Sequence, residues 1–280
     1  MNLILLERIV RNALEEDLGN GDITSEVIFD SSNSNLVKAT FTAKASGVIA
    51  GFSVVKEVYR QLDSSVVCEA LVPEGAAVIP GATIGTVTGR VQIILTGERV
   101  ALNFLQRLSG IATKTARLAQ LIQKHQCRLV DTRKTTPGLR MLEKYAVLQG
   151  GGFNHRYNLA DAILIKDNHI TACGSITEAV QRAGGRIPHT MTIEVEVENE
   201  AQVREALTAG ADIIMLDNMS PAKMADMVKL IDHRALVEAS GNIDETNIQE
   251  VAATGVDIIS CGAITHSVTA LDISLNIGDK

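Results

Sequence analysis

Beyond residue 128 the chain alternates short β-rich apolar runs with stretches patterned as helices, and this rhythm restricts the fold more than any other feature. The runs cover residues 128–132, 162–166, 192–197, 212–216, 235–238 and 256–260. Between them, residues 200–209, 221–231 and 244–254 space their apolar side chains at the helical period. Strands that alternate with helices build βα units around a parallel sheet. No Gly-x-Gly-x-x-Gly follows the first run, which weighs against a dinucleotide-binding sheet. Six runs are fewer than the eight of a complete barrel, so the expectation is an incomplete, open β/α barrel over residues 106–270.

The first hundred residues lack this rhythm. An amphipathic helix over residues 3–17 precedes the turn-rich Gly19-Asn20-Gly21-Asp22 and the alternating run Leu36-Val37-Lys38-Ala39-Thr40-Phe41. Pro73-Glu74-Gly75, Pro80-Gly81, Gly85 and Gly89 then punctuate short β-branched segments, as expected of strands joined by tight turns. These features predict a small α+β sandwich domain over residues 1–105, with the tail 271–280 packing against it. A helix is expected to start at Thr96 as N-cap and to run on through Leu102, Leu105 and Leu108.

Each run of the second half ends in polar residues: Arg133-Lys134, Lys166-Asp167-Asn168, Glu194/Glu196/Glu198, Asp217-Asn218, Ser240-Gly241-Asn242 and Ser260-Cys261-Gly262. In a β/α barrel these strand ends converge on one face, where the active site lies. The net charge is -7, yet Arg133, Lys134, Arg140, His155, Arg156, Lys166 and His169 gather at strand ends and in a glycine-rich turn. Arg forks and Lys point charges in that arrangement describe a pocket for a polyanion. An acidic chain poor in aromatic residues is no nucleic-acid binder. Glu194, Glu196 and Glu198 alternate, so all three are expected on one inner face as an acidic wall. With Asp217 that wall is suited to Mg²⁺ or sugar hydroxyls. The run Gly150-Gly151-Gly152 implies a close backbone approach. Ser240-Gly241-Asn242 and Gly262-Ala263 follow the last two runs, where barrels commonly hold a phosphate, and Thr265-His266-Ser267 adds donors.

Cys68, Cys127, Cys173 and Cys261 are scattered without metal-ligand spacing, as expected of reduced thiols in a cytoplasmic protein. Glu7 and Arg8 interrupt the apolar start, and no apolar run is long enough to span a bilayer, so no membrane association is expected.

Glu16-Asp17-Leu18-Gly19, Arg99-Val100-Ala101-Leu102-Asn103, Thr132-Arg133-Lys134-Thr135, Gly150 through Arg156, Leu164 through His169, Glu194-Val195-Glu196-Val197, Leu216-Asp217-Asn218, Glu238-Ala239-Ser240-Gly241 and Gly262 through Ser267 together closely resemble the quinolinate phosphoribosyltransferase family. The resemblance implies transfer of phosphoribosyl from phosphoribosyl pyrophosphate to quinolinate, with decarboxylation to nicotinate mononucleotide in NAD biosynthesis. It places Arg133, His155, Arg156 and Lys166 at the quinolinate carboxylates. Lys134 is placed at the phosphoribosyl substrate, and Glu196 and Asp217 at Mg²⁺ and the ribose hydroxyls, the metal held partly through substrate or water. Ser240, Gly241, Gly262 and His266 are placed at the 5′-phosphate. Catalysis then rests on Lys134, Lys166, Glu196 and Asp217, and Arg99 reaches the site from the partner in a homodimer or higher oligomer. Many members of the family carry Arg ahead of the glycine run, where this chain has Leu148-Gln149. A Schiff-base aldolase using Lys166 and a non-catalytic phosphometabolite sensor are the alternatives from other classes.

Overall fold

The computed structural model describes residues 1–29 and 35–278. Its contacts divide the chain into two units, one of residues 1–116, 135–151 and 267–280, the other of residues 117–134 and 152–266.

In the first unit, a four-stranded antiparallel sheet runs in the order Ile273–Ile277, Leu36–Ala43, Thr83–Arg90, Val67–Ala70. The tail strand pairs with Leu36–Ala43 from Ala39 opposite Ile277 to Ala43 opposite Ile273. Alternation turns Ala39, Phe41 and Ala43 inward with Val87 opposite Ala39, and a register shift between Phe41 and Thr42 leaves Ile84 buried as well. Phe41 stands edge-on to Phe52 of the helix Phe52–Leu62 at 5.8 Å, and Val55 and Val58 of that helix are buried too. The N-terminal helix Leu3–Leu18 buries only Leu6, Val10 and Leu14.

The long helix runs Val91–Ile122, so it begins five residues before the position predicted from sequence. Thr96 is inside it rather than its N-cap, and its hydroxyl donates to Asp22 Oδ2 (2.9 Å). Asp22 has its own capping duty, accepting from Ser25 N–H at the start of the helix Ile23–Ile28.

The second unit is built on a six-stranded parallel sheet in the order Arg128–Val130, Ile258–Ser260, Leu236–Ser240, Ile213–Asp217, Ile193–Val197, Ile163–Ile165. Every neighbouring pair is parallel. The two strands first in sequence stand at opposite edges, which leaves the barrel open between them. Phe153 partly fills that edge: its N–H donates to Leu129 O and its carbonyl accepts from Asp131 N–H. Helices Glu200–Ala209 and Pro221–Ile231 occupy the predicted stretches, capped by Asn199 and Ser220 side chains. They cover the outer strand faces, where Val195, Val197, Ile214, Leu216, Val237, Ala239 and Ile259 are buried.

Candidate active site

The inner faces of these strands carry the opposite set. One cavity of about 450 Å³ is lined by Thr132, Arg133, Lys134, His155, Arg156, Lys166, Glu196, Asp217, Ser240 and Gly241, with Glu238, Asn218, Asn242 and Ser260 among its other walls. Five of the six strands supply a lining residue from within the strand itself: Leu164, Glu196, Met215 with Asp217, Glu238 with Ser240, and Ser260, the paired ones two residues apart on an inner face. The volume suits a small-molecule ligand.

His155 reaches the cavity because the Phe153 bridge carries the chain along the open edge, and its own N–H donates to Asp131 Oδ1 (2.9 Å). Arg156 follows, anchored by Nη1 to the Ala162 carbonyl (3.0 Å). Burial, and then the nearby Arg133 guanidinium, lower the Arg156 pKa. Two guanidiniums held near one another are favoured by an anion that answers both. Lys166, at the end of Ile163–Ile165, donates from Nζ to Glu196 Oε2 across the neighbouring strand (2.5 Å). The ammonium is thus held on a carboxylate, which is the posture of a cationic anchor rather than of an amine nucleophile.

The acidic wall differs from the expected one. Glu194 and Glu196 do share the inner face, but Glu198 lies beyond the strand, which ends at Val197, and is exposed. Its N–H donates to Gln202 Oε1 as the chain turns into the next helix. The missing third acid is Glu238, two residues before Ser240 on the same inner face and 2% exposed. Barrel interiors are ordinarily packed with branched apolar residues, so two buried acids are an exception that the period-2 rule alone locates.

His155 Nε2 lies 3.2 Å from Glu194 Oε2 and 3.6 Å from Glu238 Oε1. These three side chains form a group compact enough for a metal. The imidazole argues otherwise. Its Nδ1 accepts the Arg156 N–H (2.7 Å), so the ring proton sits on Nε2, and a ligating nitrogen must be bare. Burial, reinforced by the Glu194 carboxylate, instead raises Glu238 to about 8. Between its ordinary 4.5 and about 8, folded Glu238 keeps a proton that the unfolded chain has lost. This contribution to stability is therefore complete below the lower value and fades as pH rises through the upper one. Glu238→Gln, which keeps the shape without titrating, should lose less melting temperature than the wild type between about pH 5 and about pH 9. Equal losses would show that Glu238 does not hold the proton.

The strand ends at Asp217 and Ser240 form a tight backbone cluster. Asn218, Asn242 and Gly241 all have positive φ (52, 49 and 95°). A Cβ on Gly241 would stand 2.6 Å from Asn218 Cγ, so only glycine fits there. Asn218 links the two turns, donating from Nδ2 to Asp217 Oδ2 (2.7 Å) and accepting from Asn242 Nδ2 (3.0 Å). Lys134 Cδ and His266 Cδ2 both lie beside Gly262, 3.0 and 3.1 Å from where a Cβ on it would project.

Two expected features are met within the protein itself. The close approach of the glycine run is made by Gly150 to the long helix, where a Cβ would meet the Ala112 carbonyl and stand 2.6 Å from Thr115 Cβ. The Thr265 hydroxyl donates to protein carbonyls rather than standing open to a ligand. Arg99 is exposed on the long helix of the first unit.

Residues 22–109 match the N-terminal domain, and residues 111–276 the C-terminal domain, of quinolinate phosphoribosyl transferase. The chain is 45% identical over 277 residues to a probable nicotinate-nucleotide pyrophosphorylase (carboxylating) of Bacillus subtilis, covering 99% of this chain and 95% of that protein. It is 44% identical over 277 residues to a protein of the same description from Synechocystis, covering 98% and 93%. The structure of the nicotinate-nucleotide pyrophosphorylase from Francisella tularensis superposes with a TM-score of 0.94 at 41% identity, covering 99% of this chain and 98% of that one.

Proposed function

Because this chain belongs to the quinolinate phosphoribosyl transferase family, we propose that its cavity joins quinolinate to the phosphoribosyl group of phosphoribosyl pyrophosphate, releasing pyrophosphate and CO₂ and giving nicotinate mononucleotide for NAD biosynthesis. The observation that carries the reading is the convergence of Arg133, Lys134, Arg156 and Lys166 with Glu196 and Asp217 around one cavity. Both substrates are polyanions, and bringing them together needs cations fixed in advance.

In this reading Arg133, Arg156 and Lys166 hold the two carboxylates of quinolinate, with His155 beside them. Lys134 meets the phosphoribosyl substrate, and Ser240, Gly241, Gly262 and His266 surround the 5′-phosphate. As the bond to pyrophosphate lengthens, positive charge grows on the ribose ring, and the Glu196 and Asp217 carboxylates favour it electrostatically. Once the pyridine nitrogen carries ribose it is cationic and electrostatically stabilises the electron pair that departing CO₂ leaves on the neighbouring carbon, which then takes up a proton. The second step therefore asks for orientation rather than for a dedicated base.

Glu196 and Asp217 are half-buried carboxylates at adjacent strand ends, a hard-oxygen pair of the sort Mg²⁺ takes together with substrate phosphates and water. Bound there, the ion would offset charge on the leaving pyrophosphate. The four cysteines are thiols rather than disulfides, which suits a reducing, cytoplasmic setting. No helix among the described residues is long and apolar enough to cross a membrane.

The direct test is joint detection of CO₂ and nicotinate mononucleotide from quinolinate and phosphoribosyl pyrophosphate, with nicotinate as control. Turnover of nicotinate, or none of quinolinate, would overturn the reading. The proposed assembly is a homodimer in which each Arg99 serves the partner's cavity. In its support, Leu3, Ile4, Ile23, Val27 and Ile28 of the first unit leave 65–80% of their surface exposed. Mixing inactive Arg99→Ala with inactive Lys166→Ala subunits should return roughly a quarter of wild-type activity, since half the dimers are mixed and each has one intact site. No recovery after exchange would mean that each chain is self-sufficient.

A further inference from the structure

Thr265 is fully buried in the short helix Ala263–His266. A helical threonine usually returns its hydroxyl to its own turn. Here that bond, to the Gly262 carbonyl, is the longer at 3.1 Å, and the shorter at 2.8 Å reaches the carbonyl of Lys134, 131 residues away. The other side of the same residue is held as well, since Lys134 N–H donates to Thr132 Oγ1 (3.0 Å). The side chain meets a third constraint. A Cβ on Gly262 would stand 3.0 Å from Lys134 Cδ and 3.1 Å from His266 Cδ2, so the lysine stem crosses the bare glycine beside the imidazole.

A lysine head on a four-carbon stem is a mobile point charge, and its usefulness to a leaving group depends on how narrowly it is aimed. We infer that Thr265 is a positioning residue for Lys134, and that Gly262 lacks a side chain in order to let the lysine stem pass, beyond any contact it makes with phosphate. This rests on the phosphoribosyl-transfer reading and assigns the turn after the last strand to aiming the charge at the phosphoribosyl substrate. Thr132 completes the clamp from the first strand.

The test is Thr265→Val, which keeps shape and removes the hydroxyl, alongside Thr265→Ser, which keeps the hydroxyl. Steady-state kinetics on the full-length protein should show the KM for phosphoribosyl pyrophosphate raised on the order of 10-fold in the valine variant. The KM for quinolinate should change less than about 2-fold, and serine should restore the wild-type value. Binding of inorganic pyrophosphate, followed by titration calorimetry, should weaken in parallel. A merely structural threonine would raise both KM values together or lower the melting temperature with neither split nor rescue, and either result overturns the assignment. If the valine variant does not fold, Gly262→Ala displaces the lysine stem while leaving the Thr265 bond in place, and the same selective rise is expected. An unchanged KM for phosphoribosyl pyrophosphate in that variant also overturns it. Wild-type turnover of quinolinate separates these outcomes from failure of the functional reading, which would show as no product from any of the proteins.

Discussion

Lys166→Ala should weaken quinolinate binding on the order of 10²-fold, because truncating one partner of a desolvated charge pair costs about 2–5 kcal/mol. The structure sharpens what else to expect. Lys166 Nζ is bonded to Glu196 Oε2, and the two side chains are 45% and 15% exposed. Its removal therefore takes a cation from the pocket and also releases a carboxylate toward an incoming polyanion. Phosphoribosyl pyrophosphate should lose some affinity, but less than quinolinate, since Lys134 and the turns at Ser240 and Gly262 remain. Glu196→Gln should separate the two effects: it frees Lys166 without removing it, so quinolinate binding is kept while the rate of ribosyl transfer falls. Titration calorimetry with each substrate reads this directly. Equal losses for both ligands in Lys166→Ala would mean that the lysine serves Glu196 rather than the dicarboxylate.

That site was legible in the sequence to the extent that it obeys one geometric rule. Polar residues at the ends of six β-rich runs fall on one face of a parallel barrel, and Lys134, Lys166, Glu196, Asp217 and Ser240 are found there. What escaped the reading lies where the rule has to be carried further inward or around a corner. Glu238 sits two residues upstream of Ser240, so the same alternation that turns Ser240 inward turns Glu238 toward Glu194 and His155. Glu198 failed for the complementary reason, since alternation stops where the strand stops. The route of His155 depends on a single-residue bridge at Phe153, too short to leave any period in the sequence. The close approach expected of the Gly150-Gly151-Gly152 run is found at Gly150, but its partner, the long helix, is not visible in sequence, which shows the missing side chain and not what occupies its place. Thr265 was taken for a ligand donor because a hydroxyl near a strand end looks the same whether it faces a phosphate or a carbonyl distant in the chain.

The largest effect on stability is expected from Arg107→Ala in the first unit. Arg107 Nη2 donates to Glu143 Oε1 (2.5 Å) and to Thr136 Oγ1 (2.6 Å), while Glu143 Oε2 accepts the Thr136 N–H (3.1 Å). The group ties residues 135–151, which leave the second unit directly after Lys134, to the long helix Val91–Ile122. The Glu143 side chain is 0% exposed and that of Arg107 is 32% exposed. Losing the arginine strands a carboxylate that cannot turn to water, for which about 3–5 kcal/mol is typical. Partial exposure of the arginine puts the expectation near the lower bound, at about 3 kcal/mol. Glu143→Gln in the Arg107→Ala background removes the stranded charge yet keeps an acceptor for Thr136, so the double variant should be more stable than the single one. Denaturant melts of the wild type, both single variants and the double variant measure this as a coupling energy. If Arg107→Ala lies within about 1 kcal/mol of the wild type, or the double variant is the less stable, the carboxylate is solvated in its absence and the pair contributes little.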